Sequence, residues 1–247
     1  MSTDIASAWD RHSGLYQDAA AIGTAHAHYG PDIPGEDELR LLGDLRGRRV
    51  LELGCGAAQC SITFARAGAT AIGVDVSAAQ LTRARQLCEA GEVRVELRHG
   101  DMADLAFLRA DSIDLAFSSF AFQYVEDLNR VFRQVHRVLK VGAPLVFSLP
   151  HPAWALVGEP AETPSIGRSY FDPGPRTEVW AGVAWTTFPH SFADLYMGLT
   201  RASYRVDLVA EPEPVPVGKS TPRSAFWHEA MTTVPRTLIV RARKEGS

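Results

Sequence analysis

The stretch VLELGCGAAQC, residues 50–60, is an apolar run that ends in two glycines, Gly54 and Gly56, separated by one residue. Glycine costs backbone entropy on folding, so a pair directly after a predicted strand indicates a sharp turn or a close approach of another group to the main chain. In a parallel sheet this turn lies at the carboxyl end of the first strand, where ligands bind and the amides of the next helix face them. The stretch therefore predicts a ligand site in an α/β sheet.

The sequence on both sides of this turn alternates short β-rich runs with longer helical runs. ATAIGVDV (69–76) and APLVFSLP (143–150) predict strands, and VEDLNRVFRQVHRVLKVG (125–142) predicts an amphipathic helix that stops at a glycine. Regular alternation predicts right-handed crossovers and a parallel sheet covered by helices on both faces. Two later strands, YRVDLVAEP (204–212) and PRTLIVRARK (235–244), have no predicted helix between them and are expected to pair antiparallel.

The composition favours a small-molecule partner. Lys plus Arg number 25 against 29 Asp plus Glu, a net charge of −4, which disfavours a surface for nucleic acid. The cysteines, Cys55, Cys60 and Cys88, show no metal-ligand spacing, so we expect no metal site and a reducing compartment. The start lacks the pattern of a signal peptide, and no run reaches the roughly 18–20 apolar residues of a membrane span. We therefore expect a cytoplasmic protein that does not bind membranes.

Two kinds of ligand fit the glycine turn. A dinucleotide site with the pattern G-x-G-x-x-G needs a third glycine where the chain has Gln59, which weakens the interpretation as a nicotinamide site. The pattern E-x-G-x-G-x-G is matched by Glu52, Gly54 and Gly56, with Ala58 at the last glycine position. Alanine is a small substitution for glycine, so the second pattern fits better.

Several motifs together make the chain resemble the class I S-adenosylmethionine-dependent methyltransferases, in particular bacterial members that act on small molecules. VLELGCGAAQCSI resembles the first motif of that family, VDVSAAQLTRAR the second, and HGDMADL the third. The run from SIDLAF to SLPHP follows the family's next stretch, and YFDPG, PHSFADL, EPEP and PRTLIVRARK resemble the tail of a common bacterial subgroup. The resemblance covers nearly the whole chain and implies S-adenosylmethionine as cofactor and S-adenosylhomocysteine as product.

The resemblance also implies a fold class. We expect an α/β, Rossmann-like, seven-stranded sheet of order 3-2-1-4-5-7-6 with the last strand antiparallel, flanked by helices. One methyltransferase domain is expected over the whole chain, 1–247. Its parts are an N-terminal helical cap (1–45), a cofactor-binding core (46–150), a lid and substrate insertion after strand 5 (151–190), and a C-terminal helix with a strand pair (191–247).

The expected cofactor-binding residues follow partly from their spacing in the sequence and partly from the family resemblance. Asp75 stands 21 residues beyond Gly54, at the end of the predicted second strand, where a carboxylate accepts hydrogen bonds from ribose hydroxyls; a helix cap is the alternative role. The resemblance implies that Asp101 accepts from the adenine amino group, with Met102 against the purine and Ser118 at the methionyl part. The expected cofactor-binding residues are Tyr29, Glu52, Gly54, Cys55, Gly56, Asp75, Val76, Gln80, Asp101, Met102 and Ser118.

Methyl transfer from a sulfonium needs alignment and exclusion of water more than it needs an acid. The aromatic residues of the lid and cap suit an apolar substrate, and we expect Tyr16, Trp154, Tyr170 and Trp185 to bind it. A nucleophile that carries a proton can also need a base, for which His151 and His190 are the candidates; a structural hydrogen bond to a loop carbonyl is the alternative. His26 and His28 are interpreted as surface or cap histidines.

The expected function is therefore methylation of an N, O, S or C nucleophile of a small, aromatic or otherwise apolar metabolite, in specialised metabolism. Two alternatives stay open. One is a nucleotide-dependent oxidoreductase; the other is a protein of the same fold that holds the cofactor without transferring its methyl group. A homodimer is compatible with the sequence.

Overall fold

The computed structural model describes residues 3–20, 22–157, 167, 169–180, 182–215 and 224–246. The α-helices are α1 (Thr3–Ala20), α2 (Glu36–Leu39), α3 (Gln59–Arg66), α4 (Ala78–Ala90), α5 (Leu128–Val138) and α6 (Phe192–Arg201). The strands are β1 (Arg49–Leu53), β2 (Thr70–Asp75), β3 (Glu96–His99), β4 (Leu115–Ser119), β5 (Pro144–Pro150), β6 (Arg176–Trp180), β7 (Val183–Thr187), β8 (Tyr204–Ala210) and β9 (Thr237–Lys244).

Seven of these strands form one sheet in the order β3-β2-β1-β4-β5-β9-β8. The pairs among β1 to β5 are parallel, whereas β9 runs antiparallel to both β5 and β8. When the seven strands of this sheet are numbered along the chain, β8 is the sixth and β9 the seventh, so the order is the predicted 3-2-1-4-5-7-6. The one reversed strand is β9. The fold prediction is therefore confirmed. The described part of the β8–β9 connection holds only a short 3-10 helix (Glu229–Thr232), too little for a crossover to a parallel neighbour.

Apolar side chains on both faces of the sheet hold the helices in place. Helix α5 begins after the cap residue Asp127, whose carboxylate accepts from Arg130 N at 3.0 Å. Its buried residues repeat every three or four positions and therefore form one stripe against the sheet. Each such buried side chain contributes about 1.5–3 kcal/mol. They are Leu128, Val131, Phe132, Val135 and Val138.

Helix α1 and the segment after β5 both pack at the carboxyl edge of the sheet. Helix α1 packs against α4 and against β7. In the segment 151–190 the structure shows an antiparallel hairpin, β6–β7, with Trp180 paired with Val183. This hairpin was not expected from the sequence, although two β-rich runs separated by two residues, the second a glycine, are a hairpin signal. That glycine, Gly182, has a φ of +77°. Residues 158–166, 168 and 181 of the predicted lid lie outside the described residues.

No helix in the described ranges combines the length and the apolar character needed to cross a membrane.

Candidate cofactor and substrate site

The glycine turn after β1 brings the main chain close to its neighbours. Gly54 and Gly56 have φ of +67° and +53°, in the left-handed region that favours glycine. A Cβ on Gly54 would lie 2.4 Å from Ala121 Cβ and 3.1 Å from Met102 Cε, so no larger residue fits there without movement. Ala58 also has a positive φ, 60°, and is fully buried. The turn therefore leaves bare main chain at the carboxyl edge of the sheet.

Two carboxylates flank this turn. Glu52 is buried and accepts from Ser61 N at 2.8 Å and Ser61 Oγ at 2.5 Å, while burial raises the pKa of its carboxyl to about 7. Asp75 Oδ2 accepts from Gly56 N and Oδ1 from Ser77 N, both at 2.8 Å; burial raises the pKa of Asp75 as well. Because Ser77 itself is the cap residue of α4, Asp75 is not that helix's N-cap.

A cavity of about 740 Å³, including space open to solvent, begins at this turn. It lies beyond the carboxyl ends of the central strands and below α1, which contributes Ile5, Trp9 and Tyr16 to its wall. We call it the inner cavity. The structure brings together at this cavity the predicted cofactor residues Glu52, Gly54, Cys55, Gly56, Asp75, Val76, Gln80 and Met102.

Three predicted cofactor residues do not line the inner cavity. Tyr29 is fully buried, and its hydroxyl donates to Glu36 Oε2 at 2.5 Å, so it braces the loop after α1. Ser118 is also fully buried, and its Oγ donates to the Leu53 carbonyl at 3.0 Å. Ser119 lines the cavity instead, since successive strand residues face opposite sides of a sheet. The structure does not bring Tyr29 and Ser118 to the inner cavity, and their contact with the cofactor stays a prediction.

Asp101 is the third of these residues. Its Oδ1 accepts from Ala103 N at 2.8 Å, which closes a turn in the loop after β3. The flanking residues Gly100 and Met102 do line the inner cavity. The structure therefore places Asp101 beside the cavity wall rather than on it.

His28 is a cavity residue that sequence analysis assigned to the surface or cap. It lines the inner cavity, and its Nδ1 lies 3.2 Å from Ser119 Oγ. Burial lowers the pKa of His28 to about 4, so the imidazole is neutral at pH 7. No spacing pattern in the sequence pointed to it, because it stands in a loop that the tertiary fold returns to the sheet. His26, two residues earlier, is exposed as expected.

A second cavity of about 1330 Å³, again including open space, lies next to the first. We call it the outer cavity. All four predicted substrate residues line it, namely Tyr16, Trp154, Tyr170 and Trp185. The two cavities share Tyr16, Phe120 and Tyr124. Trp9 stacks on Trp185 with ring centroids 5.5 Å apart, so α1 and the β6–β7 hairpin meet between the two spaces.

The candidate bases His151 and His190 also line the outer cavity, but hydrogen bonds engage their rings. His151 Nδ1 accepts from Ala153 N at 3.0 Å, so a neutral ring carries its proton on Nε2, 2.8 Å from Glu211 Oε1. His190 Nε2 donates to the Val125 carbonyl at 3.0 Å, and burial lowers its pKa. In this conformation His151 therefore offers no unshared lone pair to a substrate.

Comparison with known proteins identifies the family. Residues 50–142 match the model of a methyltransferase domain. A crystal structure of an S-adenosylmethionine-dependent methyltransferase from Mesorhizobium loti is 31% identical, with a TM-score of 0.69 over 83% of this chain and 94% of that one. An uncharacterized protein of Haemophilus influenzae is 27% identical over 222 residues, 83% of this chain and 85% of that one.

A ubiquinone biosynthesis O-methyltransferase of Hahella chejuensis is 36% identical over 104 residues, which span 42% of this chain and 44% of that enzyme. The sheet order and the glycine turn with its acidic residue define a Rossmann-like, nucleotide-cofactor enzyme. The chain belongs to the S-adenosylmethionine-dependent methyltransferases, and S-adenosylmethionine is its cofactor.

The residues of the inner cavity fit this cofactor. The bare main chain at Gly54 leaves room that a Cβ would fill, and the Asp75 carboxylate lines the same space. Each carboxylate oxygen of Asp75 accepts one backbone hydrogen bond, which leaves further lone pairs for hydroxyl donors. When bound, S-adenosylmethionine supplies a methyl group activated by a sulfonium. Asp75 and the main chain at Gly54 would hold it, and α1 would exclude water.

Proposed function

We propose that the protein transfers the methyl group of S-adenosylmethionine to an N, O, S or C nucleophile of a small, aromatic or otherwise apolar metabolite that binds in the outer cavity. One observation carries this proposal. The inner and outer cavities share the lining residues Tyr16, Phe120 and Tyr124. A cofactor in the inner cavity and an acceptor in the outer cavity would therefore lie next to each other at these residues. The relatives named as O-methyltransferases make an oxygen nucleophile the first to test.

In this proposal the inner cavity binds and orients the cofactor. The Asp75 carboxylate accepts from the ribose hydroxyls, and each charge-assisted hydrogen bond of this kind contributes about 1.5–3 kcal/mol. The neutral imidazole of His28 adds no charge next to a sulfonium. We expect the cofactor and its demethylated product to bind with Kd values near the micromolar range, about −8 kcal/mol.

The outer cavity positions the acceptor in line with the methyl group. Its aromatic walls from α1, the hairpin and the segment after β5 exclude water, and orientation of two reactants lowers a barrier by up to ~7–11 kcal/mol. The departing thioether is neutral, so the leaving group needs no acid. An acceptor that carries a proton on its nucleophile would lose that proton to solvent before the methyl group is transferred, because His151 is already engaged on both nitrogens. The net charge of −4 supports a small-molecule acceptor over a nucleic acid.

The test is incorporation of labelled methyl from S-adenosylmethionine across a metabolite extract, with the labelled product identified by mass spectrometry. We expect at least one small-molecule product, and we expect Asp75→Asn to lose it together with at least tenfold of the affinity for S-adenosylhomocysteine. Asp104→Asn is the matched control, since Asp104 is exposed in the loop after β3. Cofactor binding without any labelled product would favour the non-transferring alternative, and affinity for NAD alone would favour the oxidoreductase.

A further inference from the structure

Gln123 carries a buried acceptor without a donor at the wall of the outer cavity. The residue borders this cavity and is only 8% exposed. Its Nε2 donates to the Phe120 carbonyl at 2.7 Å, which fixes the orientation of the amide, because the reversed amide would set two oxygens against each other. Its Oε1 is shielded from solvent and has no hydrogen-bond partner in the ranges that the structure describes. A buried carbonyl oxygen of this kind is unfavourable and is rare in native proteins.

The backbone around Gln123 places this oxygen near the point where the two cavities meet. Gln123 is the middle residue of the short 3-10 helix Phe122–Tyr124, and both Phe120 and Tyr124 line the inner and the outer cavity. The Gln123 carbonyl accepts from Phe188 N at 2.7 Å, which ties the short helix to the segment after β7. The side-chain amide and the main chain are thus both held, so the unpaired oxygen is a fixed feature of the wall.

Several other polar side chains of the outer cavity are already engaged within the protein. His190 Nε2 donates to the Val125 carbonyl at 3.0 Å, and both nitrogens of His151 have partners. Ser191 Oγ donates to Asp194 Oδ2 at 2.6 Å. Much of the remaining wall is aromatic and includes Trp154, Tyr170, Trp185, Phe188 and Phe226. A ligand in the cavity that Gln123 borders is therefore the natural source of a donor for its Oε1.

We propose that the outer cavity selects acceptors that carry a neutral O–H or N–H donor on an aromatic body, and that Gln123 is the specificity-determining residue that accepts from this donor. The inference rests on the proposed function, since it names the substrate class of the same site. The donor orients the body of the acceptor and is separate from the proton that the nucleophile loses to solvent. Because solvent does not reach Oε1 in this conformation, the wall moves slightly when the donor binds. A site built to pair with a donor rejects the analogue that lacks one, since its buried acceptor then stays unpaired.

The experiment compares aromatic ligands with analogues of nearly the same shape that lack the donor. The probes are indole with benzothiophene, and naphthols with the corresponding fluoronaphthalenes, titrated into the full chain saturated with S-adenosylhomocysteine. We expect the best-binding donor compounds to bind at least about fivefold more tightly than their partners. An aromatic wall alone would favour the more apolar, donor-free partner, so the direction of the preference separates the two explanations.

Gln123→Met removes the acceptor at similar volume and should reduce the preference to within about twofold, or reverse it. Gln123→Asn, which withdraws the amide oxygen, should reduce it as well. The matched control is Gln86→Met, at an exposed residue of α4, which should keep the wild-type preference. Unaltered affinity of a variant for S-adenosylhomocysteine shows that its fold is intact.

Three outcomes overturn the inference. In the first, donor-free compounds bind the wild type as well as donor compounds do, or no pair binds. In the second, the preference survives in a Gln123 variant that still binds S-adenosylhomocysteine. In the third, both Gln123 variants lose S-adenosylhomocysteine, because Gln123 would then hold the fold and not the acceptor. A preference for donors without labelled methyl transfer would instead sink the proposed function and leave this inference standing.

Discussion

Asp10 of α1 accepts a hydrogen bond from Ser77 Oγ, the cap residue of α4, at 2.6 Å. The same oxygen, Oδ1, accepts from Ala79 N at 3.0 Å. One carboxylate thus satisfies donors of the first turn of α4 while it ties α1 over the inner cavity. At its other side α1 is held by the Trp9–Trp185 stack, so the helix is fixed at both edges of the cofactor site.

We expect Asp10→Ala to accelerate the dissociation of S-adenosylhomocysteine roughly fivefold or more, because it removes two hydrogen bonds that close the cavity. Stopped-flow displacement of a fluorescent cofactor analogue measures this rate. Ser7→Ala, an exposed change on the same helix, is the control and should leave it unchanged. A wild-type rate for Asp10→Ala would mean that this bond does not gate the site.

Gly54→Ala should lower the free energy of unfolding more than Gly47→Ala does. Both glycines have a left-handed backbone, with φ of +67° and +70°. The Gly47 Cβ would meet nothing within 4 Å, so only the strain of about 1–2 kcal/mol applies there. At Gly54 the contact with Ala121 adds about 1–3 kcal/mol, and the cofactor loses its bare main chain. Urea denaturation and calorimetry with S-adenosylhomocysteine separate the two effects. Equal losses in both variants would refute the close approach.

Ala58→Gly should leave the free energy of unfolding nearly unchanged, whereas Ala57→Gly should lower it by about 1–2 kcal/mol. Both alanines are fully buried, so each loses about 0.8 kcal/mol of methyl burial and a further 0.5–1 of backbone entropy. Only Ala58 has a positive φ, and glycine relieves about 1–2 kcal/mol of strain there. Denaturant unfolding of the pair tests this, and a loss at Ala58 as large as that at Ala57 would contradict it.

The Glu52 carboxyl makes stability depend on pH. Its pKa is about 7 in the folded chain against an ordinary value of 4.5, so the folded state binds more protons between these values. The free energy of unfolding should therefore fall as pH rises from 4.5 through 7, by on the order of 3 kcal/mol. When unfolding is measured without cofactor at several pH values, the free energy of unfolding of Glu52→Gln should depend less on pH than that of the wild type.

Glu126→Gln, at an exposed glutamate, is the control for this dependence on pH. It should retain the wild-type dependence on pH. If Glu52→Gln retained it too, another group would have to carry the effect.

Much of the fold followed from local signals in the sequence. The glycine spacing at Gly54 and Gly56 predicted the turn at the carboxyl end of β1, and both residues have the positive φ that such a turn requires. Alternation of apolar strands and amphipathic helices predicted the parallel strands, because crossover handedness restricts the order in which they assemble. The β6–β7 hairpin was missed, although its two-residue connection was visible.

The sequence by itself determined the alternation of strands and helices and the turn that meets the cofactor, since these signals lie within short stretches of the chain, and the family resemblance implied the strand order with its reversed last strand. Only the tertiary structure decided which side chains reach the cavities. It turned Ser118 away and Ser119 inward, buried Tyr29 against Glu36, and brought His28 to the inner cavity. It also set Arg236 against Trp154. Apart from Tyr29 and Glu36, which are seven residues apart, these contacts join segments far apart in sequence and depend on how loops return to the sheet, which no local pattern encodes.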